Sequence, residues 1–485
     1  MRALLPILVV AFAAPAAAQT VNASGATQLG ETLSRYVGKT AFDQGIVKVT
    51  ADGDAYRIDF DFNWIADLFP PQQAFKYEVE PYWLRVKPLA DGTWQVDGRL
   101  APDGWIEISQ PPLKQRFQWS VTGGKMSGIY DPELRAVATG TASHKGIKVL
   151  TADPTGTGET NYGAGSATAT ATRAANGGVD FAFAQTMADY SDSRTFHDPD
   201  GNTNFPMTLK ASSVAMDSSG TGLKSAVLLD LLAFAVANDA PEKVKANQAE
   251  LKALLSAALP LWDRVRGKYG FADLSVTTPF GIFKTGNAGV SFAMDGIRQD
   301  GTLDYGVRMS EVEVASFFLP SWAPPLIPTD IDINVSGANL DLDVPARKMI
   351  DAVDLSKDPP VPESVSQEIA AAFLVDPPKI VFGKSAIRNA DTEIVAEGEM
   401  VFPGGKPVFD MTFEASGYDK AMATLQEAAP SDPRAAEALP ALAMVKGMAK
   451  TLPDGRLQWA VSVKADGSAF VNGTMVKPAD APAPQ

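Results

Sequence analysis

The chain has 485 residues, among them 57 acidic and 42 basic side chains, two histidines and no cysteine. Its formal charge of −15 repels phosphate backbones and argues against nucleic acid as a partner. The missing cysteine excludes disulfides, thiolate metal sites, thiol catalysis and lipoprotein acylation, while 45% hydrophobic residues supply a large core and exclude a disordered chain.

Met1-Arg2 precede an apolar run from Ala3 to Ala13, and Ala16-Ala17-Ala18 supply the small residues of a cleavage site before Gln19. This pattern reads as a secretory signal peptide over residues 1–18, since the run falls short of the ~20 apolar residues of a spanning helix. Its removal takes Arg2 away, so the formal charge moves from −15 to −16. The expected compartment is the periplasm.

Residues 19–220 read as an N-terminal β-rich half. An amphipathic helix over Ala26 to Val37 is followed by strict alternation in Tyr56-Arg57-Ile58-Asp59-Phe60-Asp61-Phe62, which puts the rings and Ile58 on one face. Strand-like runs follow at Tyr77 to Glu80, Trp83 to Lys87, Trp94 to Leu100, Trp105 to Ser109 and Phe117 to Val121, with turn pairs at Asp91-Gly92 and Asp103-Gly104. Such spacing predicts an antiparallel sheet. From Leu150 to Ala184 the strands become thin, and Ser166 to Thr172 alternates Ala with Thr or Ser. Trp64, Trp83, Trp94, Trp105 and Trp119 fall in this half; a sugar-stacking platform is conceivable, but aromatics in alternating strands are expected to pack a core.

Residues 221–270 read as a helical pair dividing two strand-rich halves. Leu223 to Asn238 is apolar almost all round except for Asp230, as in a buried helix. The second helix is expected to start at Asp239, with Pro241 and Glu242 completing a capping box, to run through Val265, and to stop at Gly267 and Gly270. Residues 271–477 then read as a C-terminal α+β half. Its strands include Ala272 to Thr277, Gly289 to Met294, Thr302 to Met309, Glu311 to Phe318, Asp330 to Val335, Ile394 to Phe402, Val408 to Ala415 and Leu457 to Val463. Helices are expected at Ala346 to Val353, Ser364 to Leu374, Tyr418 to Gln426 and Arg434 to Lys450, and the Pro/Ala-rich tail 478–485 is expected to be disordered. The fold class is therefore α+β and β-dominated. Helices interrupting the strand series speak against an outer-membrane barrel.

A resemblance rests on Leu326-Ile327-Pro328-Thr329-Asp330-Ile331-Asp332-Ile333, the strand pair near Gly398 and Asp410, the Gly417-Tyr418 junction, Asp454-Gly455-Arg456-Leu457 and Val471-Asn472-Gly473. Over roughly Pro320 to Val476 the chain resembles the C-terminal half of a family of exported Gram-negative envelope proteins that carries a domain-of-unknown-function label. More distantly it is similar to AsmA-like envelope proteins, whose curved β-sheets are implicated in envelope lipid homeostasis. The resemblance implies a curved sheet, a lipid or other apolar ligand and peripheral contact with the envelope; the membrane anchor of AsmA-like proteins is not expected here, since the N-terminal apolar run reads as a cleaved signal peptide.

Chemistry-bearing motifs are sparse. His144 and His197 stand apart in the sequence, no Gly-x-Ser-x-Gly elbow surrounds Ser166, and Gly156-x-Gly158 lacks the third glycine of a dinucleotide fingerprint. Asp198, Asp200, Asn202 and Asn204 alternate like the first ligands of a calcium loop, but Thr203 and Leu209 fall where the loop needs Gly and an acid, so a turn is expected. Asp230 draws attention within its apolar helix, where burial would raise its pKa; a cap, a helix-end partner or plain exposure is the expected explanation. No catalytic, cofactor-binding or metal-ligating residue is assigned. Binding of an apolar or acyl ligand without catalysis is the leading expectation, and a carboxylate-based hydrolase acting on envelope polysaccharide is the alternative. Export is checked by intact-protein mass spectrometry of the envelope fraction: a chain beginning at or near Gln19 is expected, and a cytoplasmic chain retaining Met1 overturns it.

Overall fold

The computed structural model describes residues 21–62, 75–110, 113–198, 204–375 and 377–480. Strands hold 51% of the chain and helices 23%, and the strand pairings are antiparallel, so the protein is β-dominated. It divides into two compact units, Met1–Tyr269 with Val276–Pro279 and Ile350–Val361, and Gly270–Ser275 with Phe280–Met349 and Pro362–Gln485. The expected signal peptide, Trp64, Asp200 and Asn202 lie outside the described residues.

The first unit opens with α1 (Ala23–Val37), capped by the Asn22 side chain, which accepts a 2.9 Å hydrogen bond from the Gly25 N–H, and α2 (Lys39–Asp43). Then come β1 (Val47–Asp52), β2 (Ala55–Phe60), β3 (Phe75–Val79), β4 (Tyr82–Pro88), β5 (Trp94–Gly98), β6 (Gly104–Gln110), β7 (Leu113–Thr122) and β8 (Lys125–Asp131). They are followed by β9 (Ala136–His144), β10 (Gly146–Asp153), β11 (Gly156–Tyr162), β12 (Gly165–Arg173), β13 (Val179–His197) and β14 (Asn204–Leu223). One arm pairs in the order β1, β2, β4, β5, β8, β9, β12, β13. The other runs β3, β6, β7, β10, β11, β13, and β14 closes the far side of β13.

These arms are two ends of the same long strands. Thr122 faces Gly146 and Lys125 faces Ser143, while His144 faces Gly165 and Ile147 faces Tyr162, so β7 with β8, β9 with β10 and β11 with β12 each keep a single register across a short break. The breaks line up at Gly123-Gly124, Lys145, Gly163-Ala164 and, in β13, Ala188-Asp189. Gly123 (φ 62°) and Asp189 (φ 51°) take left-handed backbone there, and Lys145 N–H to Thr122 C=O and Gly163 N–H to Ala188 C=O, each 2.8 Å, stitch the crease.

Alternation places the first core. Tyr56, Ile58 and Phe60 on β2, Tyr82, Leu84 and Val86 on β4, and Trp94 and Val96 on β5 are all buried, and Leu29, Leu33 and Tyr36 of α1 lie on them. Each such side chain contributes roughly 1.5–3 kcal/mol of burial. Trp94 meets the core expectation with no exposed surface. The other described tryptophans of this half do not. Trp83 sits on the opposite face of β4 under the Arg57 guanidinium, 4.9 Å from its ring, and Trp105 lies under Arg116 at 4.5 Å. Trp119 is half-buried, donating to the Pro102 carbonyl at 2.8 Å.

The segment expected to hold two helices holds three described ones: α3 (Ser225–Ala237), α4 (Pro241–Ala246) and α5 (Gln248–Ala258). In α3 only Leu229 and Phe234 are buried, so the helix is half-covered rather than enclosed. No capping box forms, because the Asp239 carboxylate takes the Lys243 ammonium at 2.7 Å and Ala240 occupies the cap position. The last helix stops at Ala258, since Leu259 is extended before Pro260; Gly267 and Gly270 then lie within β15 (Arg264–Thr278), through which the boundary of the units runs. Leu229 joins the core of α1 and β2, so Leu229→Asp is expected to destabilise the first unit by about 3–5 kcal/mol, read as a lower denaturant midpoint.

The remaining elements are β16 (Gly281–Asp295), β17 (Gly301–Ser310), β18 (Glu313–Ser316), β19 (Asp330–Leu340), α6 (Asp343–Ala352), α7 (Glu363–Val375), β20 (Lys379–Arg388), β21 (Glu393–Val401), β22 (Val408–Ser416), α8 (Tyr418–Ala428), α9 (Pro433–Gly447), β23 (Lys450–Thr451), β24 (Leu457–Val463), β25 (Ala469–Val471) and β26 (Thr474–Lys477). In the second unit β16, β17, β19, β20, β21, β22, β24, β25 and β26 pair successively as an antiparallel meander. Of the expected disordered tail, residues 481–485 lie outside the described residues; just before them the Asp480 N–H donates to the Asp466 carbonyl at 2.8 Å.

Candidate functional site

Residues directly opposite one another in paired strands share a face, so the register of the second unit can be read as rows crossing the sheet. One row is Phe292, Tyr305, Val335, Phe382, Gly398, Met411, Val461 and Val471. A parallel row is Met294, Leu303, Gly337, Ile380, Met400, Phe409, Val463 and Ala469. The rows of the opposite face are polar by comparison, with Asp304, Ser336, Glu399, Asp410 and Ser462 in one of them. The second unit is therefore a sheet with one apolar side, eight strands wide.

Cover on that side is uneven. At the β22–β24 end Leu457, Trp459 and Ala415 are buried under α8 and α9, where the Trp459 Nε1–H donates to the Val445 carbonyl at 2.8 Å and the Tyr418 hydroxyl to the Leu442 carbonyl at 2.9 Å. At the β16–β17–β19 end the same face is bare: Phe292 is 43% exposed, Leu303 43%, Tyr305 50% and Ile333 40%. Neighbouring exposed apolar side chains of this size make this face the candidate interaction surface of the second unit.

The first unit carries a cavity of about 350 Å³ on its sheet. Its floor is a second kind of row: Val96, Gly128, Gly140, Ala169 and Phe183 are successive cross-strand partners on β5, β8, β9, β12 and β13. Beside it run Gly98, Met126, Ala142, Ala167 and Gln185. The two central strands thus present only Gly and Ala, leaving a trough between Val96 and Phe183, with Tyr82, Leu100 and Val137 around it. Gly128 cannot be enlarged, because a Cβ there would lie 2.7 Å from the Thr139 carbonyl oxygen. The Ala/Thr alternation of Ser166 to Thr172 is the two faces of this strand: Ala167 and Ala169 fall in the rows of the trough, while Ser166, Thr168, Thr170 and Thr172 are the exposed set. Burial pushes the Tyr82 phenol up to about 12, keeping it neutral, and it donates to the Arg99 carbonyl at 2.9 Å. Among the described residues, no ionised side chain lines the cavity.

The residues singled out by chemistry are dispersed. Asp230 is an ion-pair partner, its carboxylate receiving the Arg135 guanidinium at 2.9 Å, while the same guanidinium also donates to the Ala226 carbonyl. His197 and Asn204 pair across β13 and β14, 2.8 Å apart, and residues 199–203 of the expected turn lie outside the described residues. His144 faces Gly165 and Ser166 faces Ser143, so the histidine and the serine project from opposite faces of the sheet and form no dyad. Gly156 is glycine because a Cβ would lie 2.2 Å from the Thr195 carbonyl oxygen in the neighbouring strand. Among the described residues there is no group of three or more His, Asp or Glu placed to hold a metal.

Among the described residues, carboxylates whose proton affinity is displaced are displaced downward. Asp54, between Lys87 and Arg85, falls to about 2, and Asp354, held by Ser356 and Lys357, also falls to about 2. Glu107 and Glu159 are lowered, each first by a basic partner, Arg116 and Lys148. Comparison of the chain with protein-family models, with curated proteins and with solved structures finds no match.

His144 is 6% exposed, and its Nε2 side lies against Gly165, where a Cβ would come within 2.3 Å. Burial lowers its pKa, opposed in part by the Gly163 backbone. The folded protein therefore binds this proton less readily than the unfolded chain, whose histidine titrates near 6.5. Stability contributed by the neutral ring is complete above about pH 6.5 and falls as pH drops below it toward the lowered folded value. Unfolding free energy measured between pH 7.5 and 5.5 is expected to decline for the wild type and to flatten in His144→Gln.

Proposed function

We propose that this protein is an exported, non-catalytic envelope protein that holds an apolar or acyl ligand against the bare side of its sheet. The observation that carries the reading is the eight-strand apolar face of the second unit, covered by helices at one end and exposed at Phe292, Leu303, Tyr305 and Ile333 at the other. A sheet side of this composition offers dispersion contacts and water exclusion along a chain-like ligand, with no need of polar chemistry. The Gly/Ala trough of the first unit, free of ionised side chains, supports the same reading, as does the AsmA-like resemblance. The periplasmic assignment and the division into two strand-rich halves about the helical segment 221–270 belong to this proposal. The hydrolase alternative gains little from the tryptophans, since Arg57 and Arg116 lie over the Trp83 and Trp105 rings on which a sugar would stack.

Native mass spectrometry of protein purified from its own envelope, followed by solvent extraction, tests the reading. Lipid is expected to co-purify, and Phe292→Asp with Tyr305→Asp is expected to lower its occupancy by on the order of tenfold or more, because a carboxylate placed against an acyl chain is desolvated without a partner. The circular dichroism spectrum should be unchanged, as both residues are exposed. An empty wild-type protein that cleaves purified envelope glycan, and loses that activity when one acid becomes its amide, overturns the proposal.

A further inference from the structure

Phe317 and Phe318, the two most exposed aromatic rings among the described residues of the second unit, stand together with Phe280. Phe317 is 70% exposed, Phe318 64% and Phe280 48%. The Phe317 and Phe318 ring centroids are 4.1 Å apart, and Phe280 and Phe318 are 6.1 Å apart. Ser316 fixes this arrangement. Its hydroxyl donates to the Phe280 carbonyl at 2.7 Å and accepts the Phe318 N–H at 3.3 Å, while the Leu319 N–H returns to the Ser316 carbonyl at 3.1 Å. Gly281, paired with Ser316, is at φ 152°, and a Cβ there would lie 2.2 Å from the Ala315 carbonyl oxygen, so the two segments are drawn as close as backbones allow. A few residues on, Trp322 anchors the segment by donating to Asp432 at 3.0 Å and packing with Leu326 against α8 and α9. The rings are therefore held outward by a rigid tip.

Two observations say what covers them. The first is charge: in a chain of formal charge −15, no ionisable side chain occurs from Val314 through Thr329 or from Phe280 through Phe283. The second is area. At these exposures three phenylalanine side chains present about 350 Å² of ring surface, well under the ~800 Å² per partner of a stable protein interface. A small, convex, uncharged aromatic tip fits the interfacial zone of a bilayer, where aromatic rings partition and where no shape-matched partner is required.

We propose that Phe280, Phe317 and Phe318 form a membrane-contact tip that seats the second unit on an electrically neutral lipid surface. The inference rests on the acyl-ligand reading in one respect, that the lipid surface is the source or destination of the ligand. Its test does not.

Full-length protein is mixed with phosphatidylcholine vesicles and separated by flotation. Wild type is expected to rise with the vesicles at both low and high salt, since no charge pairs are involved. Phe317→Ser with Phe318→Ser is expected to lower the partition coefficient by on the order of tenfold or more. Met444→Ser, which changes a 63% exposed methionine on α9, is expected to float as wild type does. A wild type that stays at the bottom, a double variant that floats equally well, or an equal loss in Met444→Ser overturns the proposal. So does a wild-type dimer in sedimentation that the double variant converts to monomer with flotation unchanged, because the occupant is then a second copy. Lipid extracted from each variant is measured in parallel: retained lipid in a non-floating double variant supports the tip as a separate element, and a protein that floats while holding no extractable lipid sinks the ligand reading alone.

Discussion

Side chains in a strand alternate between faces with a period of two, and the second unit depends on holding that alternation in register from one strand to the next. A slip of one residue in any strand would move its whole apolar set to the polar side and break the rows that start at Phe292 and Met294. Bulges accommodate the irregularities without crossing this rule. The pairing of β19 with β20 shifts between Asp332 and Val335, and the pairing of β20 with β21 shifts between Phe382 and Ser385, yet Val335, Phe382 and Gly398 still fall in one row. Hydrogen bonding alone would tolerate other registers; the apolar side chains select this one.

The two units meet the need to cover an apolar sheet side differently. In the first, α1 lies over β1, β2, β4 and β5 and buries large side chains with almost no residual exposure. Past β8 the sheet side chains shrink to Gly and Ala, so the surface sinks instead of being roofed. In the second, most side chains of the apolar rows stay large, Gly337, Gly398 and Ala469 excepted, and the helical roof of α8 and α9 covers the β22–β24 end. A large apolar side chain that remains about half exposed forgoes roughly half of the ~1.5–3 kcal/mol that burial provides, so each bare ring is a stability contribution left unrealised in the isolated molecule.

Much of this was legible in the sequence where a single element decides its own structure. The alternation around Ile58, the amphipathic helix ending at Val37, and the helices beginning at Tyr418 and near Pro433 all form close to where periodicity puts them. Misreadings arose where the outcome depends on a second element. Trp83, Trp94, Trp105 and Trp119 look alike in their strands, but which face receives the helix is settled by α1, and only Trp94 lies beneath it. Asp239 could cap or pair with Lys243, and the ion pair prevails. Gly267 and Gly270 resemble a helix stop, but the stop comes earlier, where Leu259 must be extended before Pro260. The trough was visible as Ala/Thr alternation, yet its meaning required the glycines of β8 and β9 opposite, which strand pairing alone brings into line.

The meander of the second unit has a kinetic side. From β16 to β26 the order of pairing follows the order of the chain, with only β18 and β23 falling outside the succession, so each strand's partner is the one just made or the one next to come. Loop-closure entropy grows with the length of chain between partners, and here it is mostly paid in short instalments, the two long connections being those that carry α6 and α7 between β19 and β20 and α8 and α9 between β22 and β24. A chain delivered end first through a narrow passage can thus zip one hairpin onto the last as it emerges, with a single free edge advancing along the sheet and no early strand kept waiting for a distant mate.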